Sequence, residues 1–198
     1  MNGVPGARSL EQTFWMALEE VLGYDQVQKI GEHSSYLGNY PFSLEQMTRL
    51  QNALEELYGA AAGRGLTLRS GRAWVKYGLR FFYHELGWGQ SEFRLLPRQA
   101  RIQRGLESLA SWMKQHFQEH FDVEKTADGW LWRVSGCGLK APGLDETLPS
   151  CCYWMVGVLE EILKRLGDGK IFLVREVTCQ ACGAPACLLE IPARPLGD

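Results

Sequence analysis

The sequence predicts an α+β fold in which helices flank one antiparallel sheet of about four strands. Apolar residues recur at a spacing near 3.6 in several long segments, which is typical of helices packed on a core. Two pairs of β-branched and aromatic runs are each separated by a turn signal, which predicts two hairpins. The first pair is 121–125 and 130–134, around Ala127-Asp128-Gly129, and the second is 171–177 and 188–191, around Gly183-Ala184-Pro185.

Length and composition favour one domain over residues 1–198, with a helical N-terminal part (1–60) and a core (61–198). The 198 residues are 45% hydrophobic, enough for one sizeable core. A net charge of −2 argues against a dedicated nucleic-acid or anionic-membrane surface. Residues 1–8 lack an apolar signal region and no stretch is long enough to span a bilayer, so we expect a cytoplasmic protein with reduced thiols.

The N-terminal part contains two predicted helices. Ser9 and Gln12 resemble a capping box that opens the first helix, which Gly23 closes. Its apolar stripe faces either the core or a second subunit, and comprises Phe14, Ala17, Leu18, Val21 and Leu22. The segment 24–41 is expected to be irregular because glycine and proline punctuate it.

The second helix is predicted to begin at Ser43, with Gln46 completing a capping box, and to end at Gly59. We expect residues 60–65 to form a small-residue linker. A third helix then follows from about Ser70. Its face is almost wholly aromatic, and is either a packed contact or the wall of a ligand site; it carries Trp74, Tyr77, Gly78, Phe81 and Phe82.

The next helix is predicted over residues 99–121, with His116 on a strip beside its apolar face. His116 is either a hydrogen-bonding group for a ligand or a half-buried polar residue. In the strand 130–134 that follows the Asp128-Gly129 turn, Trp130, Trp132 and Val134 share one face.

The last fifth of the chain holds five of the six cysteines and is predicted to form a helix, ended by Gly167-Asp168-Gly169, and the second hairpin. Cys152 lies in the first turn of this helix, where the dipole favours a thiolate. Glu176, Cys179 and Cys187 lie near the facing ends of the two strands. Together the four residues make a closed tetrahedral set suited to Zn²⁺. Two alternatives stay open: the cysteines are buried small hydrophobes, or Cys179 and Cys182 form a redox or disulfide pair.

The C-terminal pattern resembles the V4R (4-vinyl reductase) domain, a pattern also found in the sensor domains of phenol- and xylene-responsive activators. The resemblance rests on the segments 152–157 and 175–179, on Cys182-Gly183 and on Cys187 before an apolar strand. Looser likeness extends upstream through the segments 38–41, 53–59, 63–66 and 69–73. One residue is added around 167–170, which affects only a loop.

The resemblance implies a V4R- and TRAPP-like ligand-binding fold, a dimer, and one structural zinc held by Cys152, Glu176, Cys179 and Cys187. It also implies that Cys182 is not a ligand, and leaves open whether Cys137 or Cys151 substitutes for one. A tryptophan of the 130–134 strand is expected to contact the bound molecule, with Trp132 preferred to Trp130. Further candidates for ligand contact are His116, Trp74, Tyr77 and Phe81.

No catalytic signature emerges from the sequence. Nucleophile-elbow, Rossmann, P-loop and HExxH patterns are all lacking, and no nicotinamide or flavin site is recognisable. The first interpretation is therefore a zinc-containing sensor or carrier domain for a hydrophobic or aromatic small molecule. Because no DNA-binding or ATPase module is recognisable, we expect a sensor to pass its signal to a partner protein. The alternatives are an enzyme or accessory subunit of tetrapyrrole vinyl reduction, and a protein-interaction scaffold.

Overall fold

The computed structural model of the chain describes residues 5–33, 43–117, 119–136 and 152–197. Within them the helices are α1 (Pro5–Leu22), α2 (Tyr24–His33), α3 (Leu44–Tyr58), α4 (Ala60–Phe82), α5 (Ser91–Arg94), α6 (Arg98–His116) and α7 (Tyr153–Leu166). The strands are β1 (His120–Lys125), β2 (Gly129–Ser135), β3 (Arg175–Thr178) and β4 (Cys187–Pro192). The predicted α+β class is confirmed.

The strands form one antiparallel sheet in the order β1-β2-β4-β3. Both predicted hairpins are present, and β2 and β4 lie side by side at the centre. The strand β3 is shorter than the predicted run 171–177 because residues 171–174 have no partner in the ladder. On β2, Trp130, Trp132 and Val134 are buried while Arg133 is exposed, which confirms the predicted alternation.

Two predictions for the N-terminal half are confirmed by local geometry. The Ser43 side chain accepts a hydrogen bond from the Gln46 N–H at 3.3 Å, and the Gln46 side chain accepts from the Ser43 N–H at 3.2 Å, so the capping box is formed. At the other end of α3, Gly59 has φ 82°, a conformation that favours glycine. The helix boundaries therefore follow from the capping chemistry.

Four predictions for the helical part are wrong. The first helix begins at Pro5, so Ser9 lies inside α1 and does not open it. Residues 24–33 are helical, with Val27 and Ile30 buried on one side, so a short amphipathic stripe outweighs the glycine there. Residues 60–65 are the first turns of α4 and not a linker. Their small side chains let α4 approach α3, since Gly63 lies directly against the backbone of Glu55. The helix predicted over 99–121 ends at His116, because Phe117 is extended.

The apolar stripe of α1 faces the core. Phe14, Ala17 and Leu18 are each less than 5% exposed within the single chain, and α1 packs on α4. A second subunit is therefore not what covers this stripe. No helix among the described residues is both long enough and apolar enough to pass through a bilayer.

The helices α4 and α7 cross in backbone contact. A Cβ added at Gly71 would overlap the carbonyl oxygen of Trp154, and one added at Gly157 would overlap the carbonyl oxygen of Leu68. Each helix thus places a glycine against the main chain of the other, and neither position has room for a side chain. The crossing fixes the position of α7 relative to the rest of the helical layer.

A line of aromatic rings continues this contact through the core. Trp154 of α7 lies 5.1 Å from Trp74 of α4, Trp74 lies 5.3 Å from Phe82, and Phe82 lies 4.3 Å from Trp112 of α6, measured between ring centroids. Such tilted pairs add about 0.5–1.5 kcal/mol each beyond the burial of their area. The Phe82 ring also lies directly over Gly78, so the space beside this glycine is occupied by a side chain of the same helix.

We expect Gly71→Ala and Gly157→Ala each to lower the free energy of unfolding by about 2–3 kcal/mol, because the methyl group forces the two helices apart. Urea denaturation followed by circular dichroism measures this. The matched control is Gly65→Ala in α4, where no heavy atom lies within 4 Å of the added Cβ. That variant should gain about 0.5–1 kcal/mol from helix propensity. Equal stability changes at all three positions would contradict the close crossing.

Candidate metal centre

The structure brings Cys152, Glu176, Cys179 and Cys187 together. One potential ligand atom from each residue lies within 4.8 Å of the other three, close enough for all four to bind one metal ion. Cys152 is the N-cap residue immediately before α7, not a residue of its first turn as predicted. Glu176 lies on β3, Cys179 lies just after it, and Cys187 begins β4. The group therefore joins one helix end to one hairpin.

The hairpin positions its three donors through a bulge and a tight turn. The register between β3 and β4 shifts between Glu176 and Thr178, which brings the chain around toward Cys179. The Cys179 carbonyl then accepts hydrogen bonds from the N–H groups of Cys182 at 3.2 Å and Ala184 at 3.1 Å. This turn reverses the direction of the chain, so Cys179 and Cys187 lie on the same side of the hairpin.

The spacing of the sulfurs suits a shared metal ion and not a disulfide. The Sγ atoms of Cys179 and Cys187 are 4.0 Å apart. Two Zn–S bonds of ~2.3 Å at a tetrahedral angle would place the sulfurs ~3.8 Å apart, whereas a disulfide needs ~2.05 Å. The described cysteines are all free thiols. Cys179 and Cys182 are both free thiols, so the disulfide that was the second alternative is not formed in this conformation.

Cys182 is half-buried and is not part of the group of four. This agrees with its predicted role as a non-ligand. Cys137 and Cys151, the two candidate substitute ligands, lie outside the described residues, as does the segment 38–41 that contributes to the family resemblance.

Three of the four residues are shielded from water, whereas Cys152 is half-buried. Glu176 is 8% exposed, Cys179 4% and Cys187 1%. The Gln180 N–H donates to the Cys187 sulfur at 3.2 Å, and the Cys152 N–H donates to Glu176 Oε2 at 2.9 Å. Backbone donors of this kind stabilise negative charge on sulfur and carboxylate. The contribution of Gln180 could not be found from sequence, because a main-chain N–H carries no side-chain signal.

The pKa of the Cys152 thiol is set by the two neighbouring cysteines, by Glu176 and by burial. Its pKa is raised well above the usual value, mainly because its thiol hydrogen-bonds to Cys179, with burial and the nearby charge of Glu176 acting in the same direction and a hydrogen bond with Cys187 opposing them. This shift opposes the lowering of the pKa that the helix dipole predicts. Four such groups can all be ionised only beside a cation, and a bound divalent metal ion supplies that charge.

The predicted ligand-contact residues on β2 are buried on the inner face of the sheet. The Trp130 N–H donates to the Gln103 side chain of α6. Trp132 is fully buried, with its ring 6.1 Å from the ring of Phe121. Among the described residues, no acceptor lies within hydrogen-bond distance of the Trp132 N–H. The two indoles therefore lie in the same layer, but only Trp130 has its polar atom satisfied there.

The other four candidates lie elsewhere. Trp74 is fully buried in the aromatic line described above, whereas Phe81 is 50% exposed. The Tyr77 hydroxyl donates to Glu20 at 2.5 Å. His116 stacks on Trp112 with ring centroids 4.3 Å apart, and its Nε2 is 3.6 Å from a Glu85 oxygen. The structure does not bring these four together into one described cavity.

Comparison of the chain with protein-family models gives no match, and comparison with curated proteins gives none either.

We predict that Cys179→Ser or Cys187→Ser abolishes stoichiometric metal binding, because each removes one of four donors from a closed buried set. The melting temperature should fall by about 10 °C. Inductively coupled plasma mass spectrometry of protein purified under reducing conditions gives the metal content, and calorimetry gives the melting temperature. Cys182→Ser is the matched control and should keep both values. A Cys179→Ser protein with unchanged metal content would rule out the site.

Proposed function

We propose that the chain is a V4R-like, zinc-containing domain that binds a small hydrophobic or aromatic molecule between its helices and its sheet. The observation that carries the proposal is the buried group of three cysteine sulfurs and one carboxylate, with all four donors within 4.8 Å. Thiolates and a d¹⁰ ion suit each other, and tetrahedral S₃O coordination is within the range that zinc accepts. The same four positions were expected to be ligands from the resemblance to V4R domains.

The proposed zinc has a structural role. Catalytic zinc sites have three protein ligands and leave one position for water or substrate, whereas here four protein donors fill the set. The ion would tie the N-terminus of α7 to the β3–β4 hairpin. Cys152 and Glu176 already contact each other through a backbone hydrogen bond, so little rearrangement is needed for the ion to bind.

The proposed small-molecule site adjoins Trp132. Leaving a buried N–H without an acceptor costs about 1–3 kcal/mol. A ligand oxygen placed beside the indole would recover that free energy, while burial of an apolar ring would supply the rest of the affinity at about 25 cal/mol per Å². A hydroxyl-bearing aromatic molecule such as phenol offers both features. We expect a homodimer, as the family resemblance implies, formed through a surface other than the α1 stripe.

We predict that Trp132→Phe weakens phenol binding at least about tenfold, because the donor is lost while an aromatic ring is kept. Isothermal titration calorimetry on the zinc-loaded protein measures the affinity, and zinc content should not change. Affinity equal to that of the unaltered protein would remove Trp132 from the proposed site.

Trp112→Phe is the matched control. Trp112 is also buried, but its N–H donates to Glu85 at 2.7 Å. Both variants lose the same ring volume, yet only Trp112→Phe breaks a hydrogen bond. We therefore expect Trp112→Phe to keep the phenol affinity and to be less stable than Trp132→Phe by about 1–2 kcal/mol.

Native mass spectrometry of the purified protein tests the function as a whole. Zinc together with a co-purified small aromatic molecule is the expected result. A bound tetrapyrrole would overturn the sensor proposal in favour of vinyl reduction or tetrapyrrole transport. Zinc with no small molecule, and no phenol binding by calorimetry, would overturn it in favour of a scaffold.

A further inference from the structure

A cleft of about 560 Å³ opens on the side of the helical layer. It lies between the C-terminal part of α4, the segment 83–94, the start of α6 and the end of α7. Its volume is within the range of small-molecule sites, roughly 300–1,000 Å³. It is separate from the metal centre and from the proposed Trp132 site, because none of their residues line it.

The polar lining of the cleft is strongly cationic. Five basic side chains and one carboxylate face it, namely Lys76, Arg80, Arg94, Arg101, Arg165 and Asp168. The chain as a whole has a net charge of −2, so this concentration of positive charge is local. A concave surface lined by one sign of charge attracts ligands of the opposite sign.

Three of the five cations are already paired, with Asp168 and with two carboxylates that do not line the cleft. Arg101 contacts Asp168 at 2.5 Å and donates from Nε to the Leu166 carbonyl at 2.8 Å. Lys76 and Arg165 contact Glu20 and Glu161. These contacts hold the three side chains in place at the edges of the cleft.

The remaining two cations, Arg80 and Arg94, have no carboxylate within ion-pair distance among the described residues. Both are exposed. The one described contact of Arg80 is with the ring of Tyr77, 5.9 Å from its centroid. Arg80 comes from α4 and Arg94 from α5, so two separate elements present guanidinium groups to the same space. Guanidinium groups bind carboxylate, phosphate and sulfonate through paired N–H donors.

The rest of the lining is apolar and ring-rich. Trp88 and Phe93 stack with ring planes 9° apart, and Tyr83 meets Trp88 edge-on. The Trp88 N–H donates to Ser108 at 2.8 Å and the Tyr83 hydroxyl donates to the Trp88 carbonyl at 3.0 Å, so the rings are held in position. Leu79 and Leu166 complete this surface. Trp88 and Phe93 are 3% and 8% exposed, so only a small part of each ring is open to the cleft. An apolar ring of a ligand can contact this part while its charged groups reach the basic side chains.

We propose that the cleft binds a small organic anion that has a ring-containing apolar body and two or more acidic groups. Arg80 and Arg94 hold the acidic groups, and the Trp88–Phe93 pair contacts the rings. The site is a second one, distinct in chemistry from the apolar site proposed beside Trp132.

The probe for the test is 8-hydroxypyrene-1,3,6-trisulfonate, a fluorescent aromatic trianion, and its anisotropy is followed as the zinc-loaded protein is added. We expect saturable binding that weakens as NaCl is raised from about 50 mM to about 500 mM, because salt screens the charges. The double variant Arg80→Gln/Arg94→Gln should bind the probe at least about tenfold more weakly. The double variant Arg80→Lys/Arg94→Lys should retain more affinity than the glutamine pair, since the charge remains.

The matched control is Lys125→Gln/Arg133→Gln, which removes the same charge from exposed positions on the sheet, away from the cleft. It should bind the probe within about twofold of the unaltered protein, as expected when distant charges are screened. Equal weakening in both glutamine pairs would mean attraction by net charge alone and would overturn the site. So would binding that does not saturate. Unchanged zinc content and melting temperature in all variants exclude misfolding as the cause of a loss.

Discussion

The backbone contact between α4 and α7 is the constraint on which the arrangement of both sites depends. Gly71 and Gly157 each lie against a carbonyl of the opposite helix, so neither helix has room for a side chain at that point. Because α7 is rigid, this contact also places its N-terminus, and Cys152 with it, over the β3–β4 hairpin. A buried metal set requires its donors to agree within a few tenths of an ångström, and that agreement begins with the crossing.

The strand β4 connects the candidate metal centre to the rest of the sheet. Its first residue, Cys187, belongs to the metal centre and pairs with Val134 of β2. Just beyond its last residue, the Ala193 N–H donates to the backbone carbonyl of Asp128 at 2.8 Å. The Ala193 carbonyl accepts a hydrogen bond from the side chain of Gln99 in α6 at 2.9 Å. Between these two ends, Leu189 of β4 pairs with Trp132 of β2. A metal ion bound at Cys187, as proposed, would therefore stiffen the strand beside which the small molecule is proposed to lie.

Local chemistry made much of this predictable. The capping box of α3 and the two hairpins were found because they depend on residues close in sequence, and the four donors were found because the hairpin and helix end could be placed. The linker predicted for residues 60–65 was wrong because small residues signal either flexibility or close packing, and only the neighbouring α3 decides which. The cationic cleft was not predicted at all. Its guanidinium groups of Arg80 and Arg94, which have no carboxylate partner in the part of the chain that the structure describes, lie on different helices. Their convergence depends on tertiary packing alone.

The helix α7 lies between the candidate metal centre at its N-terminal end and the cleft at its C-terminal end. Its N-terminus bears Cys152 of the metal centre, and its C-terminal turn supplies Arg165 and Leu166 to the cleft. A 14-residue helix is about 21 Å long, so the two sites are separated by its full length. The backbone contact at Gly157 fixes where α7 crosses α4, so α7 spans the distance between the candidate metal centre and the cleft from a fixed point. An influence of one proposed site on the other that acts without movement of this helix would be measured as a change in affinity with an unchanged crossing.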